Sequence, residues 1–150
     1  MLLTQLLTEE LIELELKGTT KEEIMNEMIE MIDQAGVLSS KEKFRAALMK
    51  REEEGSTGIG FGIAIPHGKT EAVQSARVAF GVKRTGVDWE SLDGEAATLI
   101  FMIAVPEKNA GEEHLKILQL LSRKLMDDDF REKLLKVTRK EEVSQLFEEM

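Results

Sequence analysis

The sequence predicts an α/β protein, a mixed β-sheet flanked by helices on both faces and built as a single domain over residues 1–150. Three observations carry that reading. Period-2 and wholly apolar segments suited to strands occupy the first two thirds of the chain. Capped segments of helical period stand between and after them, and no Pro/Ser-rich linker or internal repeat divides the sequence. A chain of this length buries about two thirds of the surface that its unfolded form exposes, enough for one core.

Each element rests on its own pattern. Residues 11–18 read Leu-Ile-Glu-Leu-Glu-Leu-Lys-Gly, where Ile12, Leu14 and Leu16 alternate with charged residues as in a half-buried strand. Thr20 with Glu23 forms a capping box for a helix running to about Gly36, with Ile24, Met28 and Ile32 four apart on one face. Ser39 with Glu42 repeats the start signal for a second helix. That helix presents Phe44, Ala47, Leu48 and Arg51 along one stripe before Gly55 ends it. Four glycines in residues 55–62 predict an irregular, close-approaching loop, followed by the apolar Ile63-Ala-Ile-Pro66 and then His67-Gly68. Residues 78–82 and 99–105 read as buried strands, the second apolar throughout, as expected at the centre of a sheet. From Glu112 the pattern is helical, with His114, Leu118, Leu121 and Leu125 on one face. Asp127, Asp128 and Asp129 open a further helix, where negative charge suits the dipole. Thr138 with Glu141 predicts the cap of the last.

Composition narrows the functions available. With 29 acidic and 20 basic residues the formal net charge is −9, which opposes sequence-independent binding of nucleic acid. The chain has no cysteine, which excludes disulfides, iron–sulfur clusters and thiolate zinc sites. The longest apolar stretch, residues 98–106, is far shorter than the roughly 20 residues that span a bilayer. No charged-then-apolar leader opens the sequence, so a cytoplasmic protein that does not itself span a membrane is expected. The glycines at 58, 60 and 62 lead into a strand rather than a helix and do not make a dinucleotide fingerprint. A complete Walker motif, a Gly-x-Ser-x-Gly elbow and a helical His-x-x-x-His pair are all missing.

The chain has two histidines. His67 follows a proline that ends an expected strand and precedes a glycine, a place where α/β sheets commonly put active sites. Pro66 stiffens the approach, and Gly68 leaves its backbone N–H open to an anion. An ordinary loop histidine fits the same position equally well. His114 falls near the start of an expected helix on its apolar face, where a partly buried structural histidine is the commoner role. Arg51 fits either a guanidinium at the rim of the core or an anion-binding group facing the glycine loop.

Glu52, with Ile59-Gly60-Phe-Gly-Ile63-Ala64-Ile65-Pro66-His67-Gly68, resembles the phosphorylation-site motif of phosphotransferase-system enzyme IIA proteins of the fructose/mannitol type. Residues 86–94 (Gly-Val-Asp-Trp-Glu-Ser-Leu-Asp-Gly), the apolar segment 99–106 and the helical segment 114–125 match later blocks of the same family in order. The resemblance implies an enzyme IIA type-2 domain over residues 1–150. Such a domain is a phosphotransferase that accepts a phosphoryl group from phospho-HPr as a tele-phosphohistidine and passes it to a cysteine of an enzyme IIB domain. Membrane enzyme IIC follows downstream, in the uptake of fructose or a similar sugar. It places the acceptor at His67, a second active-site histidine at His114 and the active-site arginine at Arg51. It implies no metal and no cofactor. A phosphate-binding loop from Gly60, Gly62 and Gly68 is expected beside them, as is a modest apolar docking patch with a charged rim around the His67 loop. Phe61 departs from the family, many of whose members carry asparagine there. A regulatory, nitrogen-type enzyme IIA, whose phosphorylation state controls partner binding, is the alternative reading.

Overall fold

A computed structural model describes residues 3–108 and 110–148; of residues 110–115 it describes the backbone alone. Strands β1 (Ile12–Glu13), β2 (Gly58–Gly60), β3 (Ile63–Ala64), β4 (His67–Thr70), β5 (Arg77–Val87) and β6 (Ala97–Pro106) make one mixed sheet. Its order is β1-β5-β6-β3-β2, with β4 following β3 along the same edge of β6. β5 and β6 pair antiparallel through Phe80 and Phe101, while β3 and β4 run parallel to β6. The sheet carries helices α1 (Leu3–Leu6), α4 (Ala110–Leu125), α5 (Asp128–Lys136) and α6 (Lys140–Glu148) on one face, and α2 (Lys21–Gln34) and α3 (Lys41–Glu53) on the other.

Strand periodicity sorts the side chains between two cores. Along β6, Leu99, Phe101, Ile103 and Val105 join Ile117, Leu121, Phe130 and Phe147, whereas Ile100, Met102 and Ala104 join Ile24, Met28, Phe44 and Leu48. Phe101 stacks on Phe80 at 4.6 Å and meets Phe147 edge-on at 6.0 Å, both favoured aromatic geometries. The sheet face under α2 and α3 is lined by small residues such as Ala64, Ala79 and Ala104, which lets these helices approach closely.

The mixed sheet with two helical layers is the expected architecture. Three local expectations need correcting. The strand expected over residues 11–18 pairs with β5 only at Ile12 and Glu13. After that the Leu14 carbonyl accepts from the Arg84 guanidinium (2.9 Å) instead of a strand neighbour, while Leu16 still turns inward and donates its N–H to Val82 O (3.0 Å). Ser40, not Ser39, caps α3, its hydroxyl accepting from Lys43 N. Ser39 is engaged elsewhere, donating its N–H to Ala72 O at 2.8 Å beside the Leu38–Val73 bridge. At α6 the reciprocal carboxylate is Glu142, not Glu141, because the helix begins at Lys140 and Glu142 reaches the Thr138 and Arg139 N–H groups. Thr20 caps α2 as its sequence predicts.

Candidate phosphoryl-transfer site

The site is built where α3 ends and β4 begins. Ala47, Lys50 and Arg51 of α3 and Glu54, which caps its end in helical conformation, follow one another at i, i+3, i+4 and i+7, a spacing that puts them on one face. On β4, His67 and Lys69 are two apart and leave the same side of the strand. These six residues line one cleft of about 400 Å³.

Gly68 brings the two elements together. A Cβ there would lie 3.1 Å from Phe44 Cε1 and 3.2 Å from Leu48 Cγ, so the missing side chain is what allows β4 to lie against α3. Gly68 therefore acts through packing. Gly60 and Gly62 stand elsewhere, flanking Phe61 in the turn between β2 and β3, all three at positive φ. The Gly62 carbonyl accepts from Thr98 N and Leu99 N, while His67 pairs with Ile103, four residues farther along β6 and about 13 Å away at 3.3 Å per residue. Gly60 and Gly62 are not among the residues lining the cleft, because β3 intervenes as a strand between their turn and β4. The His67 cleft itself is lined by the charged Lys50, Arg51, Glu54 and Lys69 together with Ala47. Exposed Ile59 (40%) and Phe61 (59%) belong to β2 and its turn, where Arg131 lies over the Phe61 ring at 4.9 Å.

His67 is half-buried, and its Nδ1 lies 2.9 Å from the carbonyl oxygen of Ile65. A carbonyl only accepts, so Nδ1 carries the proton and, in the neutral ring, Nε2 holds the lone pair. Burial pushes the imidazole below its ordinary value, and the Arg51 charge adds to this; the Ile65 bond, Glu52 and Glu54 act in the opposite sense. The net result is a neutral ring. Arg51 donates Nη1 to the Gly55 carbonyl (2.8 Å), which fixes the guanidinium at the end of its helix. His114 is the fifth residue of α4, and its side chain lies outside the described residues.

Glu52 has a positioning role that the motif alone does not reveal. Its carboxylate binds Lys21 Nζ at 2.7 Å and accepts from Thr57 N (3.3 Å) and the Thr57 hydroxyl, while Thr57 Oγ1 accepts from the indole of fully buried Trp89 (3.0 Å). Ser56 Oγ donates to the Trp89 carbonyl at 2.5 Å. This chain of bonds ties the last turn of α3 to the entry of β2 and to the β5–β6 connection, and so fixes the end of the helix that carries Arg51. Lys50 and Lys69 were also missing from the expected site. The strand period counted two residues on from His67, and the helix period counted from Ala47, would have pointed to them.

Residues 5–150 match the family described as "Phosphoenolpyruvate-dependent sugar phosphotransferase system, EIIA 2". The chain belongs to this family. It is thus an EIIA-type phosphotransferase component, as its motif implies. It is 45% identical over 135 residues to the PTS system fructose-specific EIIABC component of Bacillus subtilis, matching 90% of this chain and 21% of that protein. It is 43% identical over 141 residues to the PTS system fructose-specific EIIA component of Haloferax volcanii, matching 94% of this chain and 91% of that one. The chain therefore spans about a fifth of the first relative and nearly all of the second. Among solved structures, nitrogen regulatory protein IIA-Ntr from Neisseria meningitidis superimposes with a TM-score of 0.89 at 34% identity, over 95% of this chain and 97% of that one. The EIIA of an Escherichia coli complex between mannitol enzyme IIA and phosphorylated enzyme IIB superimposes with a TM-score of 0.80 at 28% identity, over 94% and 96%. Among the described residues, no helix is long and apolar enough to cross a membrane.

Proposed function

We propose that this EIIA domain takes a phosphoryl group from phospho-HPr onto His67 Nε2 and passes it to a cysteine of an enzyme IIB domain. It does so in the cytoplasm, during uptake of fructose or a similar sugar through membrane enzyme IIC. The observation that carries the reading is the bond from His67 Nδ1 to the Ile65 carbonyl, which directs the lone pair of a neutral ring to Nε2. In the first step the Nε2–P bond forms as the donor's N–P bond breaks, and the electron pair returns to the donor ring. In the second, a thiolate sulfur of enzyme IIB attacks phosphorus and the pair returns to Nε2. Neither step needs a proton to move at Nε2, so positioning and charge stabilisation are what the protein must supply. Arg51 lies in the same cleft and provides a charge-assisted donor to the phosphoryl oxygens. His114 is assigned as a second active-site histidine by its place in the family motif. The fructose-specific names of the two relatives support the sugar class, and the mannitol complex supports an enzyme IIB acceptor.

The test is intact mass after incubation with phosphoenolpyruvate, enzyme I and HPr. Wild type gains one acid-labile phosphoryl group and His67→Ala gains none; full labelling of His67→Ala overturns the assignment. His114→Ala keeps part of the acceptance and slows transfer to enzyme IIB. The likeness to IIA-Ntr favours a second, regulatory reading. Labelled protein that transfers to no fructose-type or mannitol-type enzyme IIB would establish it.

A further inference from the structure

We propose that Lys50 and Lys69 hold the phosphoryl dianion on His67 together with Arg51, and so set how strongly the domain retains the group it accepts. The inference rests on the phosphoryl-carrier reading and adds residues and an energetic role to it. Its basis is local charge. In a chain of net charge −9, the cleft around His67 gathers three cations, Lys50, Arg51 and Lys69, against one carboxylate, Glu54. Before phosphorylation that set carries a net charge of +2 with His67 neutral, and a phosphoryl group near −2 at pH 7 neutralises it.

Neither Lys50 nor Lys69 is already neutralised by a carboxylate among the described residues, whereas Lys21, Lys41 and Lys43 bind Glu52, Glu30 and Glu71. Both are exposed, so they reach a ligand in the cleft without a burial penalty. They approach from two sides, Lys50 from the last turn of α3 and Lys69 from the strand that carries His67. The reacting bonds are those already described: Nε2–P forms, the donor's N–P breaks, and the lysines contribute charge without giving up a proton.

The transfer equilibrium separates holding from docking. For phospho-HPr plus EIIA going to HPr plus phospho-EIIA, the equilibrium constant depends on the relative stability of the two phosphohistidines, whereas the affinity of the encounter complex cancels. The experiment measures this constant by NMR or intact mass, at fixed ratios of phosphorylated to free HPr, for wild type, Lys50→Met, Lys69→Met and the double variant. Each single substitution is expected to lower it about two- to fivefold, the range for screened surface charge pairs, with a larger fall in the double variant. Lys50→Arg and Lys69→Arg restore it. Lys133→Met, in a separate cleft with Val137 and Leu146, leaves it unchanged. A constant unchanged in the double variant while transfer slows would reduce the lysines to docking residues and overturn the proposal. An equal fall in Lys133→Met would also overturn it, by making the effect one of overall charge. A wild type that takes no phosphoryl group would instead sink the carrier reading itself.

Discussion

His67 is kept neutral chiefly by burial and next by the Arg51 charge, while Glu54 pulls the other way, so its titration reports on the cleft. Arg51→Gln should raise the midpoint of His67 and Glu54→Gln should lower it, both followed by the imidazole NMR signals. Movement of the two midpoints in the same direction would contradict this account. Arg51→Gln should also slow phosphoryl acceptance about 10- to 100-fold, the worth of a hydrogen bond to a charged group. The acidic limb of the acceptance rate should fall below pH about 6.5, the ordinary imidazole value. Stability follows the same sign: as pH drops from that value toward the depressed one, the unfolded chain takes up the proton first, and folded stability declines across that window. His67 and Arg51 were legible because the motif names them. Local periods place Lys69 on the side of His67 and Lys50 on the face of Arg51, but the two lysines stand 19 positions apart, and only the packing of β4 on α3 shows that they share one cleft.

Among the elements, the junction of α3 with β4 is the most exacting. Gly68→Ala places a methyl group 3.1 Å from Phe44 and 3.2 Å from Leu48, and the helix must give way. The expected cost is about 1–3 kcal/mol, read as a lower Tm, together with slower transfer because Arg51 rides on the displaced helix. The Glu52–Thr57–Trp89 chain is the second constraint. Thr57→Val keeps the shape but leaves the buried indole N–H without its acceptor, at a cost of about 1–3 kcal/mol by denaturant unfolding. The helices themselves were largely legible, since their caps and periods are local. Their starts slipped by a residue where a distant bond competed, as at Ser39, whose N–H is taken by Ala72 from another part of the chain. Within the loop expected over residues 55–62, Gly58–Gly60 form β2, because the partner strand β3 lies just beyond and the glycines supply the turn.

For the whole molecule, the two cores are separated by a single sheet and share β6, whose alternate residues serve one and then the other. Phe101→Ala, at the centre of the Phe80–Phe101–Phe147 cluster, should cost about 3–5 kcal/mol, and unfolding should remain a single transition, since neither helical layer has a core without the sheet. The fold class was legible because alternation and capping repeat over many residues. Strand order was not, since β3 and β4 share one edge of β6 through register that no local pattern encodes. The Ile65 carbonyl that accepts from His67 belongs to the chain segment joining those two strands, and it is main chain. Every amino acid substituted at position 65 would bring the same oxygen. On the proposed carrier reading, the choice between the two phosphohistidine isomers is therefore insulated from point mutation at its source: sequence drift at that position can change how well the segment packs, but not which nitrogen the backbone nominates.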